Sequence, residues 1–444
     1  MAQFSSVRMG TDPVPALIVR FALPATVGVL ANALYNIVDR VFIGRAVGPA
    51  GLAAISIVFP IVLAVVAFSA LFGVGTASQI SRFLGAGDRE RAESALGSGL
   101  CCAAIFLALA LPPMLLTLPQ VASLCGARGE MMPLTETYLR ITAPAIPAPF
   151  LTMVLMGSLR AEGRPRPAMW AMVLGAGLNV LLDWLFIIVH GMGVAGAAWG
   201  TALSQLFALL WTLAFYLLRK SELRLSFRCL RPQLQNVREM LGVGLSPFLL
   251  NIFFSVMLAL FNVLLGSHGG ELAVSAMGIF FGIDSLLFMP VTGIGEGTMP
   301  VVGYNYGAHS FARVRLAVRL ALAASIAWYT VSEVVAFVWP ETLASFFTTD
   351  AELLRQTARS MRIGYAALPL GAVAVIGCYV LEALGRAKTS FTFNVFRQSL
   401  SIALLIVLPR FLGTDGVWLT LPAADVIGGA SMAFLLHRES QTWV

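Results

Sequence analysis

Apolar residues run along this chain in blocks of about 20 to 30, and the blocks are separated by short stretches of Gly, Pro and charge. Twelve blocks can be placed, near 15–43, 51–78, 94–118, 133–159, 167–189, 194–218, 239–265, 272–301, 316–339, 357–382, 390–412 and 416–436. Each is long enough to cross a hydrocarbon core of roughly 30 Å as an α-helix. Turns are marked by Gly85 to Gly87, Arg164 to Pro167 and Gly413 to Gly416, and no stretch is left over for a soluble domain. The pattern predicts an all-α polytopic membrane protein with twelve transmembrane helices.

The first block is unusual because it holds an acid. An Asp near the centre of a spanning helix costs roughly 2.5 to 3.5 kcal/mol to insert, so Asp39 needs compensation. Asn32, Asn36 and Asp39 stand at i, i+4 and i+7 and form one polar stripe, while Leu30, Val38 and Val41 can face lipid. An ion or substrate site explains such a stripe; an Asp that caps the outer helix end, or that pairs with Arg40, is the plainer alternative. Pro24 lies fifteen residues earlier and weakens the same helix, because it donates no hydrogen bond to the carbonyl of Arg20.

A second pattern repeats. GVGTASQISRFLGAGDRERA from Gly73 matches GIGEGTMPVVGYNYGAHSFARV from Gly293, with Gly75 and Gly87 set against Gly295 and Gly307. LRAEGR from Leu159 matches LEALGR from Leu381, and Pro24 matches Pro247. The chain therefore reads as two copies of a six-helix unit. Six is even, so the copies run parallel and are related by a pseudo-twofold axis along the membrane normal, a transporter plan with its pathway between two lobes. The expected units are an N-terminal lobe, 1–218, a cytoplasmic linker, 219–238, and a C-terminal lobe, 239–444.

The copies differ in polarity. Asn179 and Asp183, one turn apart on the fifth block, correspond to Ser401 and Leu405, and Asp39 falls opposite Phe261 or Asn262. Thr201 follows Gly196-Ala197-Ala198-Trp199-Gly200, whose small residues permit close helix approach. Packed together, Asp39, Asn179, Asp183 and Thr201 make an oxygen-rich pocket suited to a proton shared between two acids or to sodium, and a purely structural hydrogen-bond network is the alternative. In the eighth block Asp284 sits among Phe280, Phe288 and Met289, which suits an organic cation. Arg397 can partner Asp284 or Glu382, and Glu296 and Glu382 lie toward the cytoplasmic ends.

Composition agrees with a membrane location: 58% of residues are hydrophobic, 11% are charged, and the mean hydropathy is +0.86. The net charge of +7 marks topology and implies no nucleic-acid partner. Arg82, Arg89, Arg91, Arg160, Arg164, Arg166, the loop from Arg219 to Arg238, Arg313 and Arg315 share one side with the N-terminus. The opposite loops hold mainly Arg45, Arg128, Arg355 and Arg410, so both termini are expected in the cytoplasm. A cleavable signal ending near Ala31-Asn32-Ala33 is the rival reading of the N-terminus, but the apolar run continues past it. The five Cys and four His show no disulfide set on one side and no metal-ligand spacing. No phosphate loop, nucleophile elbow or HExxH pattern occurs, so no cofactor and no ATP-driven pump is expected.

Four stretches together resemble one family: IVDRVFIGRAVGPAGLAAISIVFPI (Ile37 to Ile61), LRAEGRPRPAM (Leu159 to Met169), LNVLLDWLFI with GVAGAAWGT (Leu178 to Thr201), and PVVGYNYGAHS (Pro300 to Ser310). They are similar to the prokaryotic multidrug and toxic compound extrusion family, across essentially the whole chain. The resemblance implies export of small organic compounds, often cationic, in exchange for inward H+ or Na+, by alternating access. It also implies an ion-coupling site at Asp39, Asn179, Asp183 and Thr201 and a helix bend at Pro24. Trp184 stands where Pro is usual, and Met299 where Gln is common. The resulting expectation is a monomer in a prokaryotic inner membrane, in contact with substrates and membrane lipids. A flippase for lipid-linked sugars and an intramembrane aspartyl enzyme using Asp39 and Asp183 are the alternatives.

Overall fold

Ten helices among the described residues are long and apolar enough to cross a membrane, and two bent pairs bring the spans to twelve. In chain order they are α1 (Val14–Ala46), α2 (Ala54–Gly85), α3 (Arg89–Leu116), α4 (Met131–Ala145 with Pro147–Ala161), α5 (Pro165–Val189) and α6 (Gly193–Leu217). The second six are α7 (Leu234–Gly270), α8 (Leu272–Gly307), α9 (Phe311–Val338), α10 (Ala351–Gly364 with Leu368–Ala383), α11 (Ala387–Val407) and α12 (Pro409–Ser440). This computed structural model describes residues 6–125, 127, 129, 131–225 and 231–443; Arg128, Arg228 and the side chain of Asn36 lie outside the described residues. The molecule is a multi-pass membrane protein built from two six-helix halves.

Two spans are less continuous than the apolar pattern predicts. The pieces of α4 meet at 42° and those of α10 at 59°. Prolines are the cause: Pro144 sits in a 3₁₀ turn at Ala143–Ala145, Pro147 starts the second piece of α4, and Pro369 falls in the first turn of the second piece of α10. Each lacks an amide donor and biases the residue before it away from the helix.

The halves repeat with a spacing that the loop geometry fixes. Gly163 after α4 and Gly385 after α10 are both left-handed, at φ 83° and 72°. After α2 the left-handed residue is Gly87 (φ 77°), and after α8 it is His309 (φ 54°). Both pairs are 222 residues apart, so the structural partner of Gly87 is His309, and Gly307 instead corresponds to Gly85. A match of glycine to glycine misplaced that loop by two residues.

The halves meet where α2 packs against α7 and α8 and where α1 packs against α8. Near one end, α2 and α8 cross with glycine on each: a methyl at Gly85 would overlap the carbonyl oxygen of Tyr304, and one at Gly307 would overlap that of Arg82. Residues 82 and 304 are themselves 222 apart, so this crossing lies on the pseudo-twofold axis. The same end, here called the base, holds both described ends of the chain. There Asn305 Nδ2 and Arg313 Nη2 each donate to the Met9 carbonyl at 3.0 Å, and Gln79 Nε2 donates to the Asn236 carbonyl at 2.7 Å. Arg160 pairs with Glu296 and Arg82 with Glu239 across the two halves. Farther from the base, Phe68 of α2 meets Phe248 of α7 with ring centroids 4.8 Å apart.

A buried acid fastens the segment after α6 to the base. Glu162 is fully buried and accepts hydrogen bonds from Ser221 Oγ (2.7 Å) and from the Glu222 amide (2.7 Å). Glu222 in turn accepts from Ser6 Oγ and from the Ser6 amide. Burial pushes Glu162 up to about 7 from the 4.5 of a free glutamate, more than its hydrogen bonds offset, and the Glu222 carboxylate adds to the rise. Between these values the folded chain keeps a proton that the unfolded chain has lost, so this contribution to stability falls as pH rises from about 4.5 to about 7. Hydrogen exchange, corrected for its intrinsic pH dependence, should show protection of the Glu222 amide declining severalfold from pH 5 to 8. Glu162→Gln should flatten that profile; an equal pH response in both proteins would contradict it.

Candidate functional site

α1, α5 and α6 converge in the half of the membrane away from the base. Asp39 is seven residues from the end of α1, a depth of about 10 Å along the helix. Its side chain is buried, as are Asn179 and Asp183. α5 changes winding right after Asp183: Trp184–Val189 is a π-helix, a form often found at functional sites. α6 lies close against this turn because its facing residues are small. Gly196 packs on Phe186 and Ile187, and a methyl at Gly200 would overlap Asp183 Oδ1. Gly200→Ala should therefore displace the carboxyl without altering charge, and is expected to lower ion-driven efflux at least ~10-fold at matched expression. Unchanged flux would show that Asp183 needs no fixed position.

Asp183 Oδ1 and Oδ2, Asn179 Oδ1 and Nδ2, and Asp39 Oδ1 are buried and meet no hydrogen-bond partner among the described residues. Asp39 and Asp183 lie within electrostatic reach of each other. Each ionised carboxylate in such a place costs several kcal/mol of lost hydration, and two repel. The arrangement thus calls for a proton or a metal cation. Arg40, the adjacent residue, does not close the gap by an ion pair; it is exposed, with its guanidinium 5.4 Å from the centre of the Phe59 ring.

Thr201 joins the site beside Tyr138, a buried residue of α4 that lies close to it and within electrostatic reach of both aspartates. Tyr138 is a member that spacing does not reveal, since nothing in the sequence ties a lone Tyr on a separate helix to Asp39. Toward the end away from the base, Ile43, Val58, Leu139, Ile187 and Val194 belong to one apolar cluster. Asn32 lies on α1 and is half-buried. Pro24 is buried within a continuous α1.

The equivalent place in the second half is packed solid. Phe261 and Leu405 are fully buried there, and Phe261 meets Phe281 and Trp418 with centroids 5.6 and 6.1 Å apart. Phe280 belongs to this core, stacked on Tyr365 at 4.4 Å, so it lines no cavity. Asp284, Phe288 and Met289 are half-buried. Arg397 pairs with Asp425 (3.1 Å) rather than with Asp284 or Glu382, and Asp425 lies within electrostatic reach of Asp284. Glu382 accepts from Ser246 Oγ at 3.0 Å.

Comparison with known proteins agrees with this architecture. The MatE family model matches twice, over residues 24–185 and 247–407. The Multidrug export protein MepA of Staphylococcus aureus strain MSSA476 is 27% identical over 436 residues, covering 97% of this chain and 96% of its own. Two solved structures, of MATE in the bent and in the straight conformation, superpose equally well at a TM-score of 0.93. They are 25% and 26% identical and cover 100% and 99% of this chain, and 99% and 98% of their own. With one model match on each half and together spanning most of its length, the chain belongs to the MatE family, a family of transporters rather than enzymes.

Proposed function

We propose that this protein is a secondary active multidrug exporter, moving organic and often cationic compounds out of a prokaryotic cell in exchange for inward H+ or Na+. Asp39, Asn179, Asp183 and Thr201 hold the ion, with Tyr138 beside Thr201. One observation carries the reading: five buried polar atoms of Asp39, Asn179 and Asp183 meet no hydrogen-bond partner among the described residues. A folded protein does not leave such atoms unpaired at a cost of about 1 to 3 kcal/mol each unless something else binds them. The likeness to MepA, named as a multidrug export protein, supports the substrate class.

In this reading both termini and the base face the cytoplasm, the two lobes are 1–218 and 239–444 with 219–238 between them, and the protein works as a monomer. Ion binding biases α1, weakened at Pro24, between a straight and a bent form, and the lobes rock about the α2–α8 crossing. Fluorescent-dye flux in proteoliposomes, under an imposed pH gradient or sodium gradient applied alone, tests it. One gradient should drive uphill dye movement, and failure of both would overturn the proposal.

A further inference from the structure

At the base of the first half, beside the start of α1, four guanidinium groups surround a cavity of about 470 Å³. Arg8 and Arg20 come from the N-terminal segment and α1, and Arg164 and Arg166 from the turn that opens α5. One carboxylate pairs with two of them. Asp12 Oδ2 is 3.1 Å from Arg8 Nε and 3.5 Å from Arg20 Nη1. Arg164 and Arg166 form no ion pair among the described residues, and Arg164 Nε is buried without an acceptor. Arg8 and Arg166 both lie within electrostatic reach of Arg20, so like charges are held together against their repulsion. The first turn of α5 adds the positive end of a helix dipole, and the left-handed Gly163 turns its backbone into the cavity wall.

We propose that this cavity binds the phosphate of an anionic phospholipid headgroup from the leaflet at the base. Guanidinium forks match phosphate oxygens two at a time, and basic pockets between spanning helices at the cytoplasmic side suit acidic headgroups. Apolar surface for the acyl chains is at hand. Val19 and Leu23 of α1 are 63% and 61% exposed, and Trp170, one turn past Arg166 on α5, is 46% exposed, as expected of an interfacial aromatic. These faces favour a lipid over free phosphate. The site also grips the foot of α1 at Arg20, whose carbonyl Pro24 cannot bond, so an occupied cavity fixes the lower arm of the helix that carries Asp39.

The test uses the purified full chain given equal amounts of phosphatidylglycerol and phosphatidylethanolamine, with retained lipid counted by intact-protein mass spectrometry. The parent protein should keep one phosphatidylglycerol in preference. Arg164→Gln with Arg166→Gln should lose roughly thirtyfold of that preference, which is about 1 kcal/mol for each arginine, while Arg164→Lys with Arg166→Lys should keep part of it. Lipid-free melting temperatures report whether the variants fold. If the Gln variant does not fold, the parent's melting temperature should still rise with phosphatidylglycerol and not with glycerol phosphate. Equal retention of the two lipids by the parent, or unchanged preference in a folded Gln variant, would overturn the assignment. Displacement of the lipid by millimolar sodium phosphate would overturn it too, giving the cavity to a soluble anion.

Discussion

Asp39→Asn should abolish ion-driven efflux, reducing uphill transport by at least ~100-fold to the passive leak, while the protein still inserts and folds. The substitution keeps the shape and one acceptor oxygen but removes a charge whose burial costs several kcal/mol, so the melting temperature should stay level or rise. That combination separates two roles. A residue serving a structural hydrogen-bond network would tolerate Asn with activity intact, since an amide can both donate and accept there. A residue that trades a proton or sodium for substrate cannot. Flux and melting, measured at matched expression, decide between them, and near-normal pumping would move attention to the second half around Asp284 and Asp425.

A valine at the α2–α8 crossing should have a comparably large effect by a different route. Side chains at Gly85 or Gly307 would run into backbone, and backbone at a helix crossing yields only if a helix moves. Overpacking of roughly 3 kcal/mol shifts the ratio of two conformations by about a hundredfold. Gly85→Val and Gly307→Val should each disfavour the form closed at the base and lower efflux more than ~10-fold. They should do so to a similar extent, because the two positions are related by the pseudo-twofold axis. Gly278→Val, on the same helix as Gly307 but facing open space, should be silent. Thiol labelling of Ser81→Cys, in a background without native cysteines, should rise in the first two variants alone.

The sequence carries the spans plainly because an apolar run of membrane length has few other uses, and the Gly and Pro turns between spans are equally legible. Asp39, Asn179 and Asp183 were readable for a related reason: acids and amides are costly in such helices, so each one asks for an explanation. What the sequence hides is contact between distant helices. Tyr138 comes near Thr201 only through the packing of α4 on α6, and Gly196 lies against Phe186 in the π-turn after Asp183 only once α5 and α6 are packed. Arg397 had several acids within plausible reach, and only the α11–α12 packing selects Asp425. The breaks in α4 and α10 were marked by Pro144, Pro147 and Pro369, yet hydropathy ran through them unbroken. His309 in a glycine's conformation shows how a repeat can keep backbone geometry while its residues drift.

Exchange of an ion for substrate at the first-half aspartates is read by counting the ions released when a cationic dye binds the purified protein. A pH indicator in weak buffer reads protons, and a sodium-sensitive dye in a parallel sample reads sodium. Release of about one ion per bound dye is expected from the parent protein and none from Asp39→Asn or Asp183→Asn. The same release from parent and variants would contradict it.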